Sequence, residues 1–500
     1  MGLGDRFNPI LVKEVRQALR GKAFRWMFLI TLLTATVVGV GYVSLQEDPN
    51  GRTFFIPMYG CLSAAIHVFV PLSIFTSLGN EWDENTYDLL VISNLRPRQI
   101  ALGKLLSAGV QVLLYYSAFG PYLVFAYLLR GVDLVAVGVI LGGSLFTSAA
   151  LASIALALSS LSRLKVLRIL FMALVAGGSI QSLGGSIAAA SGIINFSNAL
   201  RDPEAKTAIA AFLTGMVFLV LTGLAVATTR MAHPEENRST SLRVLLVAAL
   251  LAGLGWVTYF ASWIPTSPSD LLLVIPMMAM LSAGALFVGS IFFASEEERL
   301  GRRVALSVPK NPVLALLVAP LLPGGGRAWA LLLAGSAGVV AAAWGIRVWA
   351  ATGDPFPTRG EQALLLGLMY GIFYVGLPSG VLSLWSKHLR VRVMARLAVP
   401  LLALLTLLGP AIVGLFSGNH DLMDLEHVLN PAYQIERLLD GEDVGSTLWF
   451  MATLAGAVIL LNTPRTFVAF REVLAASARR RARHGTDQPS ARAEARIAAE

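Results

Sequence analysis

Long, uninterrupted apolar tracts constrain this chain more than any motif does: six run through its first half and six through its second. A run of roughly 20 apolar residues is the length at which a helix crosses the hydrocarbon core of a bilayer. The runs are continuous rather than alternating, so they predict helices and not the strands of a membrane barrel. They place spans near 24–45, 54–78, 104–129, 134–160, 169–194, 207–229, 244–263, 271–293, 328–350, 362–384, 397–416 and 447–464. The expected fold is an all-α integral membrane protein of about 12 transmembrane helices. Composition agrees, with only 14% of residues charged where a soluble domain carries about 25%. The first tract is too long for a signal-peptide core and lacks a small-residue cleavage site, so it is expected to remain as a span.

Basic residues set the expected orientation. With the N-terminus inside, the outer loops hold only Arg52, Arg130, Arg201, Lys206, Arg347, Arg359 and Arg437, about seven of 39 Lys and Arg residues. That is the bias of the positive-inside rule. It puts both termini in the cytoplasm and the chain, as a multi-pass protein, in the inner (cytoplasmic) membrane. Residues 7–22 predict an amphipathic interfacial helix: Phe7, Ile10, Leu11, Val15 and Leu19 recur at helical spacing, with Lys13, Arg16, Arg20 and Lys22 elsewhere. The tail from 471 carries Arg479, Arg480, Arg481 and Arg483. Beside a membrane anchor it reads as lipid contact rather than nucleic-acid binding, helical at first and then disordered.

The loop order repeats. Between the second and third spans lies an acidic start, Asn80-Glu81-Trp82-Asp83-Glu84-Asn85-Thr86, a Leu-rich stretch through Leu89 and Leu90, and a restart at Pro97 and Leu102-Gly103-Lys104. The corresponding segment of the second half opens Ser295-Glu296-Glu297-Glu298-Arg299 and closes Gly324-Gly325-Gly326-Arg327. Two halves with even span counts share one topology, which is a parallel repeat. The expected organisation is 1–232 as a first six-span half with its interfacial helix, 233–470 as a second, and 471–500 as a basic, partly disordered tail.

Resident chemistry is sparse. No Gly-x-x-x-x-Gly-Lys-Ser/Thr loop occurs, so the chain is not expected to be an ATP-hydrolysing enzyme by itself, and no cofactor is expected in it. Ion-coupled carriers keep charged relays inside the membrane. Here His67 is the clear titratable group within a tract, and it reads first as a helix-packing hydrogen bonder. Cys61 is the single cysteine, so no intrachain disulfide forms. The small and polar stretch from Gly177 to Ser186 reads as close helix packing, with a pathway lining as the alternative. His420, Asp424 and His427 share a helical face and are a weak zinc candidate beside the simpler reading of an acidic solvated loop. Asn430-Pro431 predicts the start of a short, half-buried helix.

With these residues in view, the first half resembles the permease subunits of ATP-binding-cassette transporters of the type-2 exporter family, in their type-V-like class. The family pattern after the second span runs Glu-Arg-x-x-Gly-Thr-x-x-x-Leu-Leu, then Pro, then Leu-Gly-Lys. Glu81, Thr86, Leu89, Leu90, Pro97, Leu102, Gly103 and Lys104 match it, while Trp82 stands for the Arg and Asn85 for the Gly. Asn8-Pro9-Ile10-Leu11-Val12-Lys13-Glu14 is similar to the family's N-terminal interfacial helix. The second half matches mainly in topology, with Glu298-Arg299-Leu300-Gly301 as an echo. The resemblance implies a permease energised by separate cytoplasmic ATPase subunits, two of them, which carry ATP and Mg. It implies docking residues Glu81, Asp83, Glu84, Thr86, Leu89 and Leu90, with Glu296, Glu297, Glu298 and Arg299 in the second half. It implies an interfacial helix carrying Phe7, Leu11, Lys13 and Arg16, and a small or hydrophobic substrate. The rival readings are an ion-coupled secondary transporter and a membrane assembly protein that transports nothing.

Overall fold

The computed structural model describes residues 9–84, 96–161, 165–195, 202–232, 237–263, 296–349, 358–385 and 427–497, with isolated positions between 279 and 293 and between 398 and 406. Among the described residues the secondary structure is helical throughout. Ten helices among the described residues are long and apolar enough to cross a membrane. The architecture is that of a multi-pass membrane protein. Ten of the twelve expected spans therefore find their helix, and the two near 271–293 and 397–416 fall largely outside the described residues. The chain divides into two compact units, Met1–His233 and Pro234–Glu500.

In the first unit α1 (Pro9–Arg20) precedes α2 (Lys22–Leu45), α3 (Gly51–Asp83), α4 (Pro97–Leu128), α5 (Leu134–Leu161), α6 (Lys165–Asn195) and α7 (Pro203–Met231). Each boundary has a local cause. The Asn50 side chain accepts from the Arg52 N–H at 2.9 Å and starts α3. Pro97 opens α4 where its missing N–H costs nothing, and the Gln99 side chain accepts from the Arg96 N–H at 2.9 Å. Within α3, residues Ala65–Phe69 form a π turn. Pro71 explains part of it, because the proline has no N–H to give the Ile66 carbonyl. The Ser148 hydroxyl of α5 donates to that carbonyl instead, at 2.7 Å.

α5 buries Ala136, Ser144, Ser148, Ala152, Ser153 and Ala155, a face of small side chains. It packs most extensively on α7. A Cβ at Gly223 of α7 would lie 2.6 Å from the Ser153 carbonyl, so glycine is what lets these backbones approach. The core of the unit gathers Phe54, Phe55, Met58, Leu62, Ile74, Tyr115 and Phe119. The stretch from Gly177 to Ser186 behaves differently from the close packing expected of it. Gly177, Gly178, Gly184 and Gly185 of α6 are exposed, and a Cβ on any of them would meet nothing within 4 Å.

The second unit contains α8 (Thr240–Trp263), the short α9 (Arg302–Ser307) and α10 (Pro312–Val318), α11 (Gly325–Trp349), α12 (Arg359–Trp385), α13 (Pro431–Asp440) and α14 (Gly445–Ile497). Trp329, Leu332, Leu364, Tyr370, Phe373, Met451 and Val458 form its core. α14 packs on α12 and α11, and the Asn462 amide donates to the Gly376 carbonyl at 3.0 Å. The helix continues through the basic tail to Ile497. α13 starts as the sequence predicts, with the Asn430 side chain accepting from the Ala432 N–H at 3.1 Å, and it stops at Gly441 with φ of 95°.

Candidate functional site

The charges of this chain meet at the helix ends. In the first unit, α1 lies against α4. Ile10 of α1 is buried against Gly103, where a Cβ would stand 2.7 Å from the Ile10 methyl and 3.2 Å from the Leu11 nitrogen. Glycine at 103 is thus what seats the surface helix on the start of the third span. The next residue fastens it. Lys104 is 1% exposed, and its ammonium donates to Glu14 of α1 at 3.0 Å and to Ser77 of α3 at 2.9 Å. It also lies 3.2 Å from Glu81 of α3. The Ser77 hydroxyl donates to the second Glu14 oxygen at 3.0 Å, and Lys13 reaches Glu81 at 3.1 Å. Two ammonium groups face two carboxylates, so the cluster is balanced, as a buried one must be.

A second clamp sits beside it. Arg168 of α6 donates to the Gly79 carbonyl at 2.7 Å and to Asp83 at 2.7 Å. A guanidinium in the last turn of a helix complements its dipole. The end of α3 is therefore held by α1, α4 and α6 at once.

The second unit builds an analogous site from other elements. Arg243 at the start of α8 is fully buried. It donates to Glu296 at 2.7 Å, to the Pro320 and Gly324 carbonyls at 3.0 Å each, and to the Leu322 carbonyl. Glu296 in turn accepts from the Gly324 N–H at 3.0 Å. Glu298 accepts from the Gly326 N–H at 3.0 Å and pairs with Arg465 of α14. Arg327, also fully buried, donates to the Glu298 carbonyl at 2.6 Å, to the Ala469 carbonyl at 3.1 Å and to Glu472 at 3.4 Å. A Cβ on Gly326 would stand 2.8 Å from the Arg465 carbonyl, so here too a glycine admits a neighbouring helix and the following basic residue ties it down. Gly103-Lys104 and Gly326-Arg327 do the same work at the start of α4 and α11.

These contacts change how the expected docking residues read. Glu81 is buried and paired with Lys104, and the half-buried Glu298 is paired with Arg465 and Gly326. Glu296 is likewise held by Arg243. Glu296 and Glu298 keep part of their side chains exposed, while Glu81 is buried. Asp83 is half exposed and paired with Arg168, while Glu84, Glu297 and Arg299 are exposed. Thr86, Leu89, Leu90 and Phe7 lie outside the described residues. On α1, Lys13 and Arg16 are exposed and Leu11 is half-buried. Sequence reasoning had the Gly-Lys pair and Glu14 in hand but not their pairing; it missed Arg168, Arg243, Arg465 and Glu472. The signal for Arg243 and Arg327 was present as single arginines bordering apolar tracts.

Within the tracts themselves, His67 is fully buried on the π turn and its Nε2 lies 3.2 Å from the Ser144 carbonyl. Among the described residues its Nδ1 has no hydrogen-bond partner. Tyr116 joins the same polar group, 2.6 Å from the Ser144 hydroxyl. A cavity of about 370 Å³ opens among Thr36, Gly39, Val40, Phe54, Pro121 and Phe125. Of the zinc candidate, His420 and Asp424 lie outside the described residues, and His427 begins a 3₁₀ turn. Among the described residues no three His, Cys, Asp or Glu side chains gather as a metal would need. Compared with family models, with curated proteins and with solved structures, the chain has no significant match.

Proposed function

We propose that this chain is the membrane-spanning permease component of an ATP-driven exporter, energised by separate ATPase subunits that dock at its cytoplasmic side. The observation that carries the reading is the ion cluster of Glu14, Glu81 and Lys104. It joins a surface helix to the ends of two long apolar helices, so a push on that surface moves the helices together. The resemblance read from the 80–104 segment supplies the kind of partner that would push. The matching clamps around Lys104 and Arg327 support a fused repeat of two six-span halves. Small and polar groups on the open face of α6, among them Gly177, Gly178 and Gln181, suit the lining of a pathway. The apolar cavity beside α2 suits a hydrophobic permeant.

Co-purification of the tagged chain from membranes tests the proposal. A stoichiometric ATPase that is lost with Leu89→Asp and Leu90→Asp, while the chain still inserts, is the expected result. A clean chain with no nucleotide-hydrolysing partner, under conditions where comparable complexes survive, would reject it.

One observation favours an ion-coupled carrier as the second reading: His67, fully buried in an apolar helix, with Nδ1 unpartnered among the described residues. Intramembrane ionisable residues mark relays. Transport that needs a proton gradient and fails with His67→Asn would move the assignment there.

A further inference from the structure

The segment between Arg302 and Leu321 carries an apolar face that is exposed among the described residues of its unit. Ala315 of α10 is buried, and with Val304, Val308, Ala319 and Leu322 it packs against Val473 and Ala476 of α14. The opposite side of α10 is outward and entirely apolar, with Val313 64% and Leu317 70% exposed and Leu314 between them. Leu306 of α9 is exposed as well. The segment is firmly held in this attitude. The Leu300 N–H donates to Glu472 at 2.9 Å, Arg480 to the Val308 carbonyl at 2.7 Å, and Ser477 to the Lys310 carbonyl at 2.9 Å. The leucines are therefore presented, not loosely exposed.

Two further observations say what they meet. First, charge: Arg302, Arg303 and Lys310 of the segment and Arg479 of the helix that carries it are exposed, and no Asp or Glu occurs from 299 to 327 or from 473 to 486. Second, position: α14 exposes Phe467 and Val468, about 33 Å along the helix from Gly445. That length matches a hydrocarbon core of about 30 Å. The residues of α14 that carry α10 follow within the next few turns, at the level of the headgroups. α10 itself ends only a few residues before the apolar helix α11.

We propose that α9 and α10 form an in-plane anchor whose Val313, Leu314 and Leu317 enter the acyl boundary of one leaflet while Arg302, Arg303, Lys310 and Arg479 bind anionic lipid headgroups. Apolar side chains rimmed by cations are the pattern of a surface-lying membrane helix. The assignment depends on the apolar helices crossing a bilayer, not on the exporter reading.

The test uses the full-length chain with Cys61→Ser and Leu317→Cys, labelled with an environment-sensitive fluorophore and reconstituted in vesicles. Phosphatidylcholine vesicles are compared with ones containing phosphatidylglycerol. Quenching by lipid-borne nitroxide, with protection from aqueous iodide, is expected. Replacing Arg302, Arg303 and Lys310 with Gln is expected to lower the ratio of lipid-quenched to iodide-quenched label by roughly tenfold in the anionic vesicles. Free access of iodide without lipid quenching would overturn the anchor. So would protection that depends on a co-purifying protein, which would give this face to that partner. Equal insertion into neutral and anionic vesicles would overturn the role of the cations. A second label at Leu314→Cys guards against a local effect of one substitution.

Discussion

Lys104 shows why a single charge at a helix end can matter more than an apolar residue in the core. Its ammonium has traded water for Glu14, Glu81 and Ser77. Lys104→Met leaves two carboxylates facing only Lys13, and breaking a buried pair from one side costs about 3–5 kcal/mol. Thermal unfolding in detergent should show a clear loss of stability. Pairing Lys104→Met with Glu14→Gln should recover part of that loss, because coupled residues are not additive. Full additivity in that cycle would mean the cluster is not a unit. Ser148 gives a smaller case: Ser148→Ala strands the Ile66 carbonyl at the π turn, and a lost buried hydrogen bond costs about 1–3 kcal/mol. An unchanged unfolding midpoint would show that the turn finds another donor.

At the scale of elements, the seating of α1 rests on shape as much as on charge. Gly103→Val puts branched carbon where Ile10 already lies. It should release α1 from α4 while leaving α2 to α7 in place. Limited proteolysis between α1 and α2 would detect the release, and cleavage no faster than in the parent chain would contradict the seating. These elements also show what a sequence can and cannot disclose. The apolar tracts predicted ten of the long helices because length and hydropathy are local properties. Asn430-Pro431 predicted α13 because capping is local too. The pairing of Glu81 with Lys104 and of Glu298 with Arg465 was not legible. An acidic residue beside a tract reads the same whether its partner is water or a lysine two helices away. The open setting of Gly177 and Gly184 was hidden for a similar reason, since small residues serve both close packing and a free surface. The extent of α3 was underestimated because Glu81 and Asp83 look like loop, although Lys104 and Arg168 let the helix carry them.

At the scale of the molecule, each unit fastens the start of one long apolar helix to its neighbours through a glycine and a buried cation, Lys104 in one and Arg327 in the other. The central claim is that the Lys104 cluster carries motion from a nucleotide-driven partner into the spans. Its most direct measure is vanadate-sensitive ATP turnover coupled to transport, in vesicles holding the complex purified with this chain. The parent is compared there with Gly103→Val. Retained partner, retained ATP turnover and lost transport is the predicted result. Transport at the parent rate with α1 demonstrably detached would contradict the claim.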